Sequence, residues 1–198
     1  MIHALPGMGA DHRMYSGEWL GLPNFVAHDW SKHHGETTLA EIAKTMCEAK
    51  SICDGDVLVG SSLGGMVACE ITKIRRISAL FLVGSAVDRS EVSHLLTVLG
   101  PLAKIMPLDW LKTLAGNSHN ELMQMFSGVD PAFIRAMCDA IFKWQGLGVT
   151  QAKVHRIHGI HDWVISIPAK VDLELDGGHL IAMTHEKECV EYIGHHVR

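Results

Sequence analysis

Between Val57 and Ala68 the chain reads Val-Leu-Val-Gly-Ser-Ser-Leu-Gly-Gly-Met-Val-Ala. An aliphatic run, a Gly-x-Ser-x-Gly turn and a helical pattern follow one another without a gap. That order is a strand–turn–helix in which one serine is held in a strained backbone conformation, its Oγ exposed above a sheet. Strand and helix approach so closely in such a turn that the positions two before and two after the serine must be very small. Gly60 and Gly64 meet this requirement around Ser62, whereas around Ser61 the same positions are Val59 and Leu63, which are too bulky. Ser62 is the candidate nucleophile and Ser61 its neighbour.

Apolar runs and helical patterns alternate on either side of this element. Strands are expected at 1–5, 25–30, 56–59, 77–83, 154–158 and 171–175. Helices are expected at 12–20, at 39–50, from the turn to about 75, and at 184–193. Repeated strand–helix units with apolar strands argue for an α/β fold, a mainly parallel sheet of about six strands with helices on both faces. Residues 88–148 break the rhythm with helical patterns only: Val92, Leu95, Leu96 and Leu99; Trp110, Leu111 and Leu114; Phe133, Ile134, Met137 and Ile141. The expected organisation is a core of 1–87 and 149–198 with a helical cap inserted at 88–148.

A serine hydroxyl needs a histidine base and an acid that orients the base. On such a sheet both belong in loops beyond the carboxyl ends of later strands. Asp162 follows the strand at 154–158, and His179 follows the strand at 171–175 within Asp-Gly-Gly-His. An oxyanion hole needs two fixed donors where negative charge develops. The backbone N–H of Leu63, just after the nucleophile, is one. The loop Leu5-Pro6-Gly7-Met8-Gly9 supplies the other, with the Met8 N–H the candidate.

These motifs resemble those of the α/β-hydrolase superfamily of the Ser-Asp-His type. The opening Leu-Pro-Gly-Met-Gly-Ala-Asp-His-Arg-Met-Tyr, the elbow Gly-Ser-Ser-Leu-Gly-Gly-Met, the His-Gly-x-x-Asp-x-x-Ile stretch and Gly-Gly-His carry the resemblance, which spans the chain except the cap. It implies an esterase-like acyl hydrolysis in which Ser62 attacks, His179 shuttles the proton and Asp162 orients it. Three departures stand out. Two strands usual at the start of the fold are missing, so the sheet is a trimmed one. The interval from Asp162 to His179 is short, and Ser61 stands where many relatives have histidine. Some relatives take the acid from the preceding strand's loop, which makes Asp88 the reserve acid. Trp30 and Trp163 are expected to line the substrate pocket.

The reading that results is hydrolysis of a small, largely apolar carboxylic ester. A thioesterase or C–C bond hydrolase on the same triad, and a non-catalytic ligand receptor on a hydrolase scaffold, are the alternatives. The formal charge of −5 and scattered Lys and Arg leave no electrostatic footprint for nucleic acid. Five cysteines without a Cys-x-x-Cys pair read as reduced thiols of a cytoplasmic protein. Fourteen histidines raise the question of a metal, but His155, His158 and His161 complete no ligand pattern, so no metal and no cofactor are expected. No basic-then-apolar leader and no membrane-spanning run are read in the sequence. The expected partner is a small-molecule substrate, with a homodimer compatible with the sequence.

Overall fold

Residues 1–93, 125, 128 and 130–197 are described by the computed structural model. Six strands form one sheet: β1 (Ile2–Leu5), β2 (Phe25–Ala27), β3 (Val57–Ser61), β4 (Ala79–Val83), β5 (Lys153–Gly159) and β6 (Leu173–Leu175). Their order is β2-β1-β3-β4-β5-β6, and every pairing is parallel. The helices are α1 (Leu39–Ala49), α2 (Leu63–Ile74), α3 (Pro131–Lys143), α4 (Ile181–Thr184) and α5 (Glu186–His196).

Period-two alternation along the strands divides their side chains between two cores. Leu5, Leu58, Leu80 and Leu82 pack with α1, α2 and α3 on one face. Ala4, Val59, Phe81, Val83 and Ile157 pack on the other with Tyr15, Trp19, α4 and α5. Both faces are covered, which is why these strands read as continuous apolar runs. Helix α1 shows the local logic. Thr38 Oγ accepts the Glu41 N–H at 3.2 Å while the Glu41 carboxylate accepts the Thr38 N–H at 3.0 Å. Such a capping box stabilises a helix start by about 1 kcal/mol. Leu39, Ile42, Ala43 and Met46 then turn one buried stripe to the sheet.

Three boundaries differ from expectation. The second strand ends at Ala27, where the His28 N–H makes its bond to the Ala4 carbonyl and the chain turns away. The helix expected at 12–20 is two short 3-10 turns, His12–Tyr15 and Gly17–Gly21, separated by an extended Ser16, the second opening on a Gly17 at φ +57°. The closing helix is broken at His185, between α4 and α5. In the stretch expected as a cap, α3 is helical as anticipated. Val92 instead forms an isolated antiparallel bridge to Ile165. Leu95, Leu96, Leu99, Trp110, Leu111 and Leu114, and with them most of the expected cap, lie outside the described residues.

Two further ties fix the loop regions above the sheet. The Ser93 N–H donates to the Val164 carbonyl at 3.0 Å and the Ser166 N–H to the Glu91 carbonyl at 2.8 Å, flanking the Val92–Ile165 bridge. Arg156, on β5, grips both oxygens of Glu91 at 2.8 and 2.7 Å and the Ser85 carbonyl at 3.1 Å. Among the described residues no helix is long and apolar enough to cross a membrane.

The chain leaves β1 outward to β2 and returns on its other side to β3. The carboxyl ends of β1 and β3 therefore diverge, and such a switch point is where open α/β sheets form their crevices.

Candidate active site

Ser62 sits at that crevice, between β3 and α2, with φ 50° and ψ −121°. A non-glycine residue in this region costs on the order of 1–3 kcal/mol and persists only where its surroundings over-determine it. Here they do. A Cβ on Gly60 would fall onto the Gly65 backbone, and one on Gly64 onto the carbonyls of Leu5 and Pro6. The Ser85 hydroxyl donates to the Ser62 carbonyl at 2.7 Å and holds the turn from the β4 side.

His179 Nε2 lies 3.0 Å from Ser62 Oγ, and its Nδ1 lies 2.8 Å from Asp162 Oδ2. Asp162 Oδ1 accepts the N–H groups of Val164 and Ile165 at 2.9 and 3.0 Å. Burial pushes the Asp162 carboxyl upward, but the His179 hydrogen bond and charge and the Ile165 N–H outweigh it, so the group titrates below the usual carboxylate range. It is ionised at neutral pH. Behind it His158, almost fully buried, places Nε2 3.0 Å from the Ile165 carbonyl and 3.5 Å from Asp162 Oδ2. Burial lowers the His158 pKa, so the ring is neutral and donates from Nε2.

The loop after β1 closes the other side. A Cβ on Gly7 would stand 3.5 Å from Ser62 Cβ, so this backbone abuts the serine. Neither the Met8 N–H nor the Leu63 N–H is spent on a hydrogen bond within the described residues. The loop is braced from several directions. Trp30 Nε1 donates to the Gly7 carbonyl at 3.1 Å, and the Gly7 N–H points at Met14 Sδ, 3.5 Å away. Met8 Sδ touches Cys138 Sγ of α3 at 3.8 Å. The Tyr15 hydroxyl donates to the Leu5 carbonyl at 2.7 Å and accepts the Ser61 N–H at 3.0 Å.

Ser62, Asp162, His179, Met8 and Leu63 are thus brought together. Asp88 instead caps the short turn Arg89–Glu91, accepting the Ser90 N–H at 2.8 Å, while the histidine's Nδ1 is taken by Asp162. Trp30 packs on Phe133 at a centroid distance of 5.3 Å, beside the Gly7 loop. Trp163 is 37% exposed next to the acid. Asp11, His12 and Asp29 offer ligand atoms within 4.8 Å of one another. Those atoms already serve as partners: His12 Nδ1 is 2.6 Å from Asp29, and Asp11 takes the Arg13 guanidinium at 2.6 Å. Ser85 escapes a reading of the sequence; Tyr15 and His158 stand in two of the motifs quoted above, but the part each plays emerges only where the fold brings it to the site.

No family model and no curated protein matches this chain. Solved structures do resemble it. A hydrolase from Oleispira antarctica is 18% identical over 98% of this chain and 89% of its own, with a TM-score of 0.79. An esterase from Exiguobacterium antarcticum is 14% identical over 99% and 91%, with a TM-score of 0.80. The type II thioesterase BorB, from the borrelidin biosynthetic cluster, is 18% identical over 100% and 92%, with a TM-score of 0.74. At these identities the likeness is one of fold.

Proposed function

We propose that this chain, which has the α/β-hydrolase fold, is a serine hydrolase that cleaves small, largely apolar carboxylic esters through an acyl-enzyme. The observation that carries this reading is the unbroken line from Ser62 Oγ through His179, 3.0 Å away, to Asp162, 2.8 Å beyond.

Asp162 holds the His179 tautomer with its proton on Nδ1, leaving Nε2 to take the proton of Ser62 Oγ as the oxygen attacks the ester carbonyl. The new C–O bond and the displaced π pair give a tetrahedral oxyanion between the N–H groups of Met8 and Leu63. Removing one such donor typically costs 10²–10³ in kcat. The His179 imidazolium then protonates the leaving alkoxide, and an alcohol departs as the carbonyl reforms on Ser62. A water, deprotonated by the same nitrogen, repeats the sequence, releasing the acid and free serine. Met8, Trp30, Phe133 and Cys138 make the surroundings of the oxyanion loop apolar, which supports an apolar acyl group over a charged one.

Hydrolysis of p-nitrophenyl acetate and butyrate tests the reading. The expected result is turnover that falls at least ~10³-fold in Ser62→Ala, because triad members act as a unit. A fluorophosphonate adduct mapped by mass spectrometry is expected on Ser62. Unchanged activity in Ser62→Ala, or an adduct elsewhere, overturns the mechanism. Thioesters and diketones assayed beside the esters decide between the three bond types, and tight ligand binding with negligible turnover marks a receptor.

A further inference from the structure

We propose that Tyr15 is a positioning residue for this hydrolysis: its phenol is a spacer that sets the gap between the oxyanion loop and the serine-bearing turn. The inference rests on the serine-hydrolase reading above and assigns the residue that keeps its two backbone donors apart at the right distance.

Strands β1 and β3 stay in register as far as Leu5 opposite Gly60. In a parallel ladder the next rung joins the N–H of Ser61 to the carbonyl of Leu5. The Tyr15 oxygen sits at that last rung and bridges both of its groups, accepting from the Ser61 N–H at 3.0 Å and donating to the Leu5 carbonyl at 2.7 Å. The bridge lies at the point where Pro6-Gly7-Met8 leaves one strand and Ser62-Leu63 leaves the other. An oxyanion that bonds both Met8 and Leu63 has to fit between the two.

The spacer cannot retreat. Tyr15 is 1% and Trp19 0% exposed, and their rings meet edge to face at a centroid distance of 5.0 Å. Trp19 in turn donates from Nε1 to the Ala182 carbonyl at 2.8 Å, on the helix that follows the His179 loop. One aromatic pair thereby ties together the ends of β1 and β3 and the segment that carries the base. Burial pushes the phenol pKa far up, so the hydroxyl keeps the proton it donates to Leu5.

Tyr15→Phe keeps the ring and removes both hydrogen bonds. The Ser61 N–H and the Leu5 carbonyl then lose the phenol that braces them, and the oxyanion loop shifts against the elbow. That shift misplaces the donors for the tetrahedral state and leaves ground-state contacts with the substrate in place. The expected result is a kcat for p-nitrophenyl butyrate about 10- to 100-fold lower, somewhat less than for loss of a whole donor, with KM within about twofold. The rate of fluorophosphonate labelling of Ser62 is expected to fall by the same factor, while the final labelled fraction matches the wild type. Wild-type rates in the variant overturn the proposal and leave the hydrolase reading intact. A labelled fraction that falls in step with activity overturns it too, because that is loss of folded protein. A wild-type protein that takes no label on Ser62 removes the hydrolase reading and this inference with it. If the Phe variant does not fold, 4-aminophenylalanine introduced at position 15 supplies a donor and an acceptor. Recovery of both thermal stability and labelling rate is then expected, and recovered stability with slow labelling overturns the spacer role.

Discussion

Replacing Asp162 by asparagine is expected to abolish turnover without unfolding the protein, and the surrounding donors dictate how the new amide must lie. Oδ1 receives two N–H groups, from Val164 at 2.9 Å and Ile165 at 3.0 Å. An NH2 group there would oppose both, so the amide oxygen takes that position. The NH2 group is forced into the place of Oδ2, 2.8 Å from His179 Nδ1. It donates, and the imidazole must then carry its own proton on Nε2, facing Ser62 Oγ. A ring in that tautomer cannot accept the serine proton. A wrong tautomer in a Ser-His-Asp triad costs about 10⁴ in kcat, or about 5 kcal/mol of barrier at 1.36 kcal/mol per decade. Asp88→Asn is the control. Asp88 caps a turn, asparagine caps as well as aspartate does, and kcat is expected to stay within about twofold. Steady-state hydrolysis of p-nitrophenyl butyrate gives both numbers, and ¹⁵N NMR of the His179 ring reads the tautomer directly. A kcat for Asp162→Asn within tenfold of the wild type, or a larger loss for Asp88→Asn, refutes the argument.

Ser62→Gly is expected to be inactive yet more stable. Glycine adopts φ 50° without the strain that serine bears there, so calorimetry should record a Tm raised by a few degrees, about 1 kcal/mol for a chain of this size; an unchanged or lower Tm contradicts the strain. Arg156→Met leaves the half-buried Glu91 carboxylate without its guanidinium partner and is expected to cost about 2 kcal/mol in urea unfolding. The double variant Arg156→Met with Glu91→Leu is expected to recover more than half of that, and additive losses would exclude coupling. Acid is expected to destabilise the fold well before carboxylates titrate. Burial lowers the pKa of His28 to about 4 and holds His3, His155 and His158 below the ordinary 6.5. The unfolded chain binds more protons than the folded one across that window, so stability present above pH 6.5 is lost as pH falls toward 4. A Tm that stays flat over this range refutes the assignment.

The parts of the molecule visible in the sequence are those with a short-range cause. Parallel strands buried on both faces must be apolar throughout, so Ala79–Val83 and Val57–Ser61 announce themselves. The elbow is legible because its strand, turn and helix are contiguous and Gly60 answers to Gly64 and Gly65 a few residues on, although Gly64 answers to the distant carbonyls of Leu5 and Pro6. Asp162 and His179 could be placed because each lies in a loop just beyond the carboxyl end of an apolar strand read in the sequence. The two 3-10 turns were not foreseeable from the apolar spacing of 12–20, because a Gly17 at φ +57° and an extended Ser16 override it. Tyr15 closes the opening motif, yet nothing in that motif states what its hydroxyl does. Its role depends on Leu5 and Ser61 meeting across the sheet, a fact of topology and not of spacing.

Val164 and Ile165 look two ways at once. Their N–H groups grasp the Asp162 carboxylate, while on the opposite side the Val164 carbonyl and Ile165 itself are stitched to residues 92 and 93. Any displacement of residues 92 and 93 is delivered to the acid across one peptide unit, by way of Val92, Val164 and Ile165, which also belong to the core on the α1–α3 face. Moving residues 92 and 93 and changing how firmly the base is steered are, in this molecule, one and the same adjustment.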